Sequence, residues 1–523
     1  MARISVAAVG VQVHRVCEVL TELTIYAMVV FSPWAFGTTQ AWSIWTMNAL
    51  AFGLGLLLLG KLGARRLSRS CSGGLRIDGL ASTTAGLMLL FLAYGLVSAL
   101  NARATFRNDT LAFEYFRCIA WLPHSLDAAG SWFAFWRNLG LVCVFWAVAD
   151  WLSGKTTAEL AAERRQKKSP EQAQELSVMP ARLQRLIWAL SVNGSLLATE
   201  GIVQRLLQSP KLLFLVLPRM NQAAGLQFGP FAYRANAAEY FNLVWPVCLG
   251  LWCVLEMRGQ SKTRHALLVC VALMAFCPLI SNSRGGALVD ATMLLVAFLA
   301  ICARRAMCVR SFTAGPGERA PRGGTRPTGE ILAHCRPGAH TGRFLPHSWA
   351  GGPNPLALGV VILLTLGAGV TVGWPTLSAR MSQFENGLSL RSRLYAAAKP
   401  MARDYPWFGT GPGTFETVSQ LYPRPDIFWP AQLHNDWLES RITLGWVGCG
   451  LVGVTLLLIA ARGFIRGQIQ VPGVFPFFIY LALGGCILHA AFDFPFQVHS
   501  IVFLADLLLA VVFVLSARAR PSP

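Results

Sequence analysis

Apolar runs of roughly 20 residues recur along the whole chain, and they decide what it can fold into. Each run is long enough to cross a hydrocarbon core of about 30 Å as a helix. Inside lipid every backbone N–H and C=O must find a partner within the protein, so only helices or a closed barrel can span it. Barrel strands are about ten residues of alternating polarity. These runs are continuous, so they predict helices. The composition agrees: 54% of the 523 residues are hydrophobic and 13% are charged, against about 25% charged in an average soluble domain. Twelve spans are predicted, at 16–36, 41–60, 80–100, 131–152, 183–205, 236–256, 266–282, 286–303, 356–375, 438–461, 472–492 and 496–516. The expected fold is an all-α polytopic membrane protein of about 12 transmembrane helices, with one large outer loop between spans 9 and 10.

The net charge of +20 admits a nucleic-acid partner, but the placement of the charge points elsewhere. Loops 1–15, 61–79, 153–185, 257–265, 304–355, 462–471 and 517–523 hold most of the 45 Lys and Arg. All are on one side if the N-terminus is cytoplasmic, as the positive-inside rule requires. Both termini are therefore expected in the cytoplasm, with the bilayer and not nucleic acid as partner. The first run is of spanning length and lacks a small-residue cleavage site, so no cleavable leader is expected. The 13 cysteines lie mostly inside apolar runs without zinc-ligand spacing and read as small buried hydrophobes. His334, Cys335, His340 and His347 share a loop but form no ligand pattern. No metal and no cofactor is expected.

Two loops are long. The 304–355 loop is rich in Gly, Pro and Arg without hydrophobic periodicity, which predicts a disordered cytoplasmic insertion. The 376–437 loop carries Trp407, Phe408, Phe415, Tyr422, Phe428 and Trp429, enough apolar area for a small cap on the outer face. Long loops with their own structure are usually functional.

Five constellations can carry chemistry. Ser281-Asn282-Ser283-Arg284-Gly285-Gly286 falls at an outer hairpin, where an arginine either snorkels or grips an anion at a helix start. Arg391 and Arg393 open the outer loop, as a phosphate clamp or as solvated charge. Pro406 to Phe415 superficially evokes a nucleotide loop, but it follows no predicted strand and lacks Gly-Lys-Ser/Thr. A tight turn packing aromatic side chains is expected there. His434-Asn435-Asp436 runs through Glu439 to Gly445 and Gly448. His434 can serve as a general base, with Asp436 or Glu439 to orient it. Asn435 or Asp436 can instead cap the helix, and the two glycines permit close helix packing. Last come His489 and Asp493, four apart at the outer hairpin of the final two spans; Glu200, Glu239 and Asp290 are costly acids within spans.

In this order these segments resemble the O-antigen ligase / O-antigen polymerase superfamily of bacterial envelope glycosyltransferases. His434-Asn435, nine residues, Gly445, two residues and Gly448 match that family's His-[Asn/Ser/Gln]-x9-Gly-x2-[Gly/Thr/Tyr] pattern, and Ser283-Arg284-Gly285 matches its Ser-Arg-Gly segment. Arg391-Ser392-Arg393 through Phe415 resembles the start of the family's large periplasmic loop. The family's tryptophan four residues after the second arginine is Ala397 here, which leaves Arg391 and Arg393 as alternatives. Asp493-Phe494-Pro495 and Ala235 to Tyr240 are similar less specifically. The resemblance is close over 265–460, between an N-terminal transmembrane half, 1–264, and two last spans, 461–523.

The resemblance implies an inner-membrane enzyme with its active site facing the periplasm. It would move a glycan from an undecaprenyl-diphosphate donor to an acceptor hydroxyl on a glycolipid, glycan or protein, with inversion and without metal. His434 would be the base, and Arg284 with Arg393 would hold the diphosphate. Arg391, Asn435, Asp436, Glu439, Gly445, Gly448 and Asp493 would complete the substrate site. Ligase and polymerase share these motifs and both stay open. A transporter or flippase also fits twelve spans, but transporters place polar groups mid-membrane at repeat interfaces, and no internal repeat stands out here. A membrane scaffold would not need His434 with arginines.

Overall fold

The computed structural model describes residues 6–68, 74–75, 78–156, 158–161, 179–257, 259, 264–313, 353–381, 384–422, 431–465 and 473–517. The chain is mostly helical. In order come α1 (Val6–Trp34), α2 (Ala41–Leu67), α3 (Gly79–Leu100), α4 (Ala128–Ser153), α5 (Ala181–Leu206), α6 (Arg234–Met257) and α7 (Arg264–Ile280). They are followed by α8 (Arg284–Thr313), α9 (Pro355–Met381), α10 (Phe384–Asp404), α11 (Phe415–Val418), α12 (Asp436–Ile465), α13 (Val474–His489) and α14 (His499–Ala517). Among the described residues nine helices are long and apolar enough to cross a membrane: α1 to α6, α8, α12 and α14. The expected spans 266–282, 356–375 and 472–492 correspond to shorter apolar helices, Arg264–Ile280, Pro355–Gly369 and Val474–His489. Their outward leucines, such as Leu363 on α9 with Leu56 and Leu457 on the longer helices, are exposed as lipid-facing residues are.

α8 continues to Thr313, so its helix runs past the predicted end at 303 and takes in the start of the expected insertion. Residues 314–352, with His334, Cys335, His340 and His347, lie outside the described residues, as do Phe428 and Trp429.

The most enclosed helix is α6, 89% buried over its span window against 28% for α3. Trp245, Trp252, Tyr240 and Phe241 are buried on it, and it packs against α7 and α13. One hydrophobic core runs from Ile25 to Leu515, so the predicted N-terminal half and last two spans share it.

Two polar clamps, each around a fully buried cation, hold helices together. Lys61 of α2, fully buried, sits 2.8 Å from Asp150 of α4 and 3.2 Å from Glu18 of α1. Arg65 adds a second cation to Asp150, and Arg182 of α5 pairs with Glu18. Asp78 caps α3 by accepting from the Ala81 N–H at 2.8 Å. The same carboxylate takes Arg462 of α12 in two-point fashion, at 2.8 and 3.1 Å, with the guanidinium over the Phe513 ring. Buried charges persist where each is paired in this way.

The connection between α3 and α4 forms a hairpin that was not expected in an all-α chain. β1 (Ala104–Arg107) pairs antiparallel with β2 (Ala112–Tyr115), Phe106 opposite Phe113. Those rings meet edge-on at 5.2 Å, and Asp127 accepts from the Phe106 N–H.

The predicted outer cap has a small core of Ala398, Met401, Phe415, Leu433 and Ile442, which lays α10 on the first turns of α12. Of the aromatic packing expected in the glycine-rich turn, Phe415 joins this core, while Trp407 is 66% exposed. The turn works through its backbone. At Gly445 the helix α12 breaks, with φ 61° and ψ −170°, and the turn occupies the groups the break frees. The N–H of Trp446 donates to Pro406, and that of Val447 to Trp407; Thr410 and Gly411 donate to Ile442 and Thr443. The Tyr94 hydroxyl donates to Phe408 and Leu444 carbonyls. Gly448 lies against the Tyr94 ring, as a close-packing glycine does. Gly445 instead provides the break.

Candidate active site

Six connections meet on one face, described over 35–40, 101–127, 207–233, 281–283, 384–422 with 431–435, and 490–498. The contacts that join them include Leu126 N–H to Thr410 O and Asp436 N–H to Ala490 O. The Lys61 clamp lies towards the other end of the same helices. Glu18 is sixteen residues before the end of α1, about 24 Å along its axis.

This face holds a cavity of about 1030 Å³, with His434 in its wall. That is the upper end of the range for small-molecule pockets. Phe36, Trp42, Val216 and Leu390 make part of it apolar, and Arg219 and Gln432 are among its polar members.

His434 has a backbone φ of 54°, uncommon for a residue with a Cβ and a strain retained where surrounding contacts enforce it. The Tyr395 hydroxyl of α10 donates to its carbonyl at 2.7 Å. Burial pushes the Tyr395 phenol above its ordinary range, partly offset by the Arg391 charge, so it stays a donor. The imidazole lies edge-on to Phe494 at 4.9 Å and to Tyr233 at 6.0 Å, and those two rings stack on each other. Its Nδ1 is 3.1 Å from Asp493 Oδ1. A carboxylate on Nδ1 fixes the tautomer with the proton there and leaves Nε2 as the acceptor. Tyr395→Phe removes one supporting hydrogen bond, worth about 0.5–1.5 kcal/mol. We expect a three- to ten-fold loss of activity at most, read as initial rate against wild type.

The carboxylate that contacts His434 is therefore Asp493, not Asp436 or Glu439 as expected. Asp436 is fully buried and accepts from the Phe496 N–H at 2.6 Å and the Gln497 amide at 3.1 Å. Glu439, 4% exposed, accepts from the Leu433 N–H at 2.8 Å. Asn435 caps α12 by accepting from the Leu438 N–H at 3.0 Å. These three fix the loops that hold His434 and Asp493. Of the expected site residues only His434 lines the cavity; Arg284, Arg391, Arg393, Asn435, Asp436, Glu439, Gly445, Gly448 and Asp493 do not.

Arg284 opens α8, which Ser283 caps through the Gly286 N–H at 3.1 Å. The neighbouring Gly285 faces Phe492 and His489, bringing this helix start beside the Asp493 turn. Leu390 and Leu394 of α10 line the cavity. Arg391 and Arg393 flank that face, Arg391 on the side of Tyr395. Arg391 is half-buried, its charge acting on Tyr395 and His489, while Arg393 is exposed. Arg205 was missed: it donates to Ala224, Gln227 and Ser281 carbonyls and so braces the turn before Arg284. Tyr233 and Tyr395 were missed too. Only the position of Tyr395 one helical turn after Arg391 offered a signal. Among the described residues no group of three His, Cys, Asp or Glu is placed to hold a metal ion.

The helices and this cavity define a multi-pass membrane protein with a histidine open to one face and a buried carboxylate behind it. Residues 269–453 match the sequence model of the family described as O-antigen ligase, which supports the resemblance to the O-antigen ligase superfamily. The matched stretch contains Arg284, Arg391, Arg393 and His434; Asp493 and Tyr233 join the site from outside it. No curated protein matches the chain.

Proposed function

We propose that this protein transfers a glycan from an undecaprenyl-diphosphate carrier to an acceptor hydroxyl, in the bacterial inner membrane and on its periplasmic face. The observation that carries this reading is His434, in the wall of a large cavity on the capped face, with Asp493 behind it at 3.1 Å. The basic loops at the opposite ends of the helices support a cytoplasmic position for both termini. Nε2 of His434 takes the acceptor hydroxyl proton as that oxygen bonds to the anomeric carbon. The anomeric carbon–oxygen bond to the diphosphate breaks, its electron pair leaves with the lipid diphosphate, and the configuration inverts. Charge grows on the leaving group, so cationic donors aimed at it are worth roughly 10²–10³ in rate each. Arg284, with Arg391 or Arg393, takes that role and needs no metal to do so. Arg391 is favoured over Arg393 by its position near His489 and Tyr395.

The acceptor class separates ligase from polymerase. The test is purified protein in lipid nanodiscs with a polyprenyl-diphosphate-linked glycan and three acceptors: a core glycolipid, a second lipid-linked glycan and a protein. We expect one glycosylated product and stoichiometric free polyprenyl diphosphate. Failure of all three acceptors to release the carrier would overturn the reading.

A further inference from the structure

The chain of titratable groups does not end at Asp493. Its Oδ2 lies 3.9 Å from Nε2 of His489, and Nδ1 of His489 lies 3.4 Å from Glu239 Oε1 on α6. His489 and Glu239 are each 1% exposed. Among the described residues neither ring nitrogen of His489 and neither oxygen of Glu239 has a hydrogen-bond partner. An unsatisfied buried polar atom opposes folding, and apolar residues would pack this helix contact without that cost. The burden falls behind His434, joined to it through Asp493.

We propose that Glu239 and His489 are positioning residues that set how strongly Asp493 holds His434. The proposal rests on the reading of His434 as the base. A neutral imidazole has one N–H, so His489 can turn it to Asp493 or to Glu239 but not to both. Turned to Asp493, it draws charge from that carboxylate and loosens its grip on His434 Nδ1–H. Turned to Glu239, it leaves Asp493 to His434 alone. Other groups act on the chain from each neighbouring element. Arg391 of α10 acts on His489, and Asp436 of α12 acts on Glu239. Cys486 lies one turn back on α13, and the α8 start brings Arg284 next to the Gly285 that faces His489. Tyr233 and Tyr395 face His434 itself.

The test uses full-length protein in micelles with ¹⁵N-labelled histidine, following the His434 ring signals against pH, assigned with His434→Gln. His489→Leu removes a donor from Asp493 and should raise the His434 midpoint. Glu239→Gln, which keeps the shape and removes the competing carboxyl, should turn His489 to Asp493 and lower the midpoint. Each shift should be about 0.5 pH unit or more, a three-fold change in the proton equilibrium. Shifts of the same sign, or both midpoints unchanged, would overturn the proposal. If His489→Leu does not fold, the shape-preserving Glu239→Gln decides alone, by a lowered or an unlowered midpoint. The titration needs no turnover, so it stands apart from the glycan-transfer assay. Where transfer is present, the limb of its pH–rate profile should move with the midpoint. A uniform loss of rate with a fixed limb marks a merely structural role and counts against the proposal.

Discussion

His434→Ala should remove glycan transfer by a factor on the order of 10²–10⁴, the usual range for a positioned general base. Abundance and membrane insertion should stay normal. The imidazole is 32% exposed, and among the described residues its side-chain hydrogen bond is to Asp493, so alanine there leaves no large hole. Asp493→Asn is the sharper variant, because it keeps the shape. An asparagine amide that donates to Nδ1 would force the ring proton onto Nε2, the atom that must accept from the acceptor hydroxyl. A loss close to that of His434→Ala is expected, since a wrong tautomer disables the base as fully as its removal. Initial rates of product formation at saturating donor check both. Wild-type rates in His434→Ala would dismiss the base assignment. Wild-type rates in Asp493→Asn alone would leave the base standing and remove the role of the carboxylate.

The spans were legible because length and apolarity act locally: a continuous run in lipid has no choice but to close its own hydrogen bonds. The same local logic put Arg284 at a helix start, and Asn435 caps α12 as one of the two readings held. What was not legible is long-range. Asp493 meets His434 across 59 residues of sequence, and Asp436 and Glu439 look better placed only because they are near in the chain. Their carboxylates are consumed by the Phe496 and Leu433 N–H groups, which no spacing rule announces. Tyr395 is one more aromatic in a loop until its hydroxyl is seen on the His434 carbonyl. The hairpin at Ala104–Arg107 is too short to stand out between two strongly apolar spans.

Gly445→Ala should be the most damaging single-atom change to the fold. The residue sits at φ 61° and ψ −170°, a region essentially reserved for glycine, where another residue is strained by about 1–3 kcal/mol. An added Cβ would also run into the Trp407 carbonyl and the Gly409 N–H. Both are backbone, held by the hydrogen bonds between the glycine-rich turn and α12, and Gly409 is itself at φ 66° against Thr443. Neither side can yield without opening that seam. Together the strain and overlap should cost roughly 4 kcal/mol or more, in the exceptional range for a point change. Gly453→Ala, on the same helix with nothing within 4 Å of the new carbon, should be neutral or stabilising by up to about 1 kcal/mol. Thermal unfolding midpoints of the two variants in detergent give the comparison. Equal midpoints would mean that the break does not require glycine. The break also sets the spacing of the motif. The segment from Asp436 to Leu444 is a separate short helix of about 13 Å, with His434 just above it and Gly445 at its foot. The distance in sequence from histidine to glycine is the length of that helix. Shortening or straightening it would move His434 off Asp493 before it changed any residue that touches substrate.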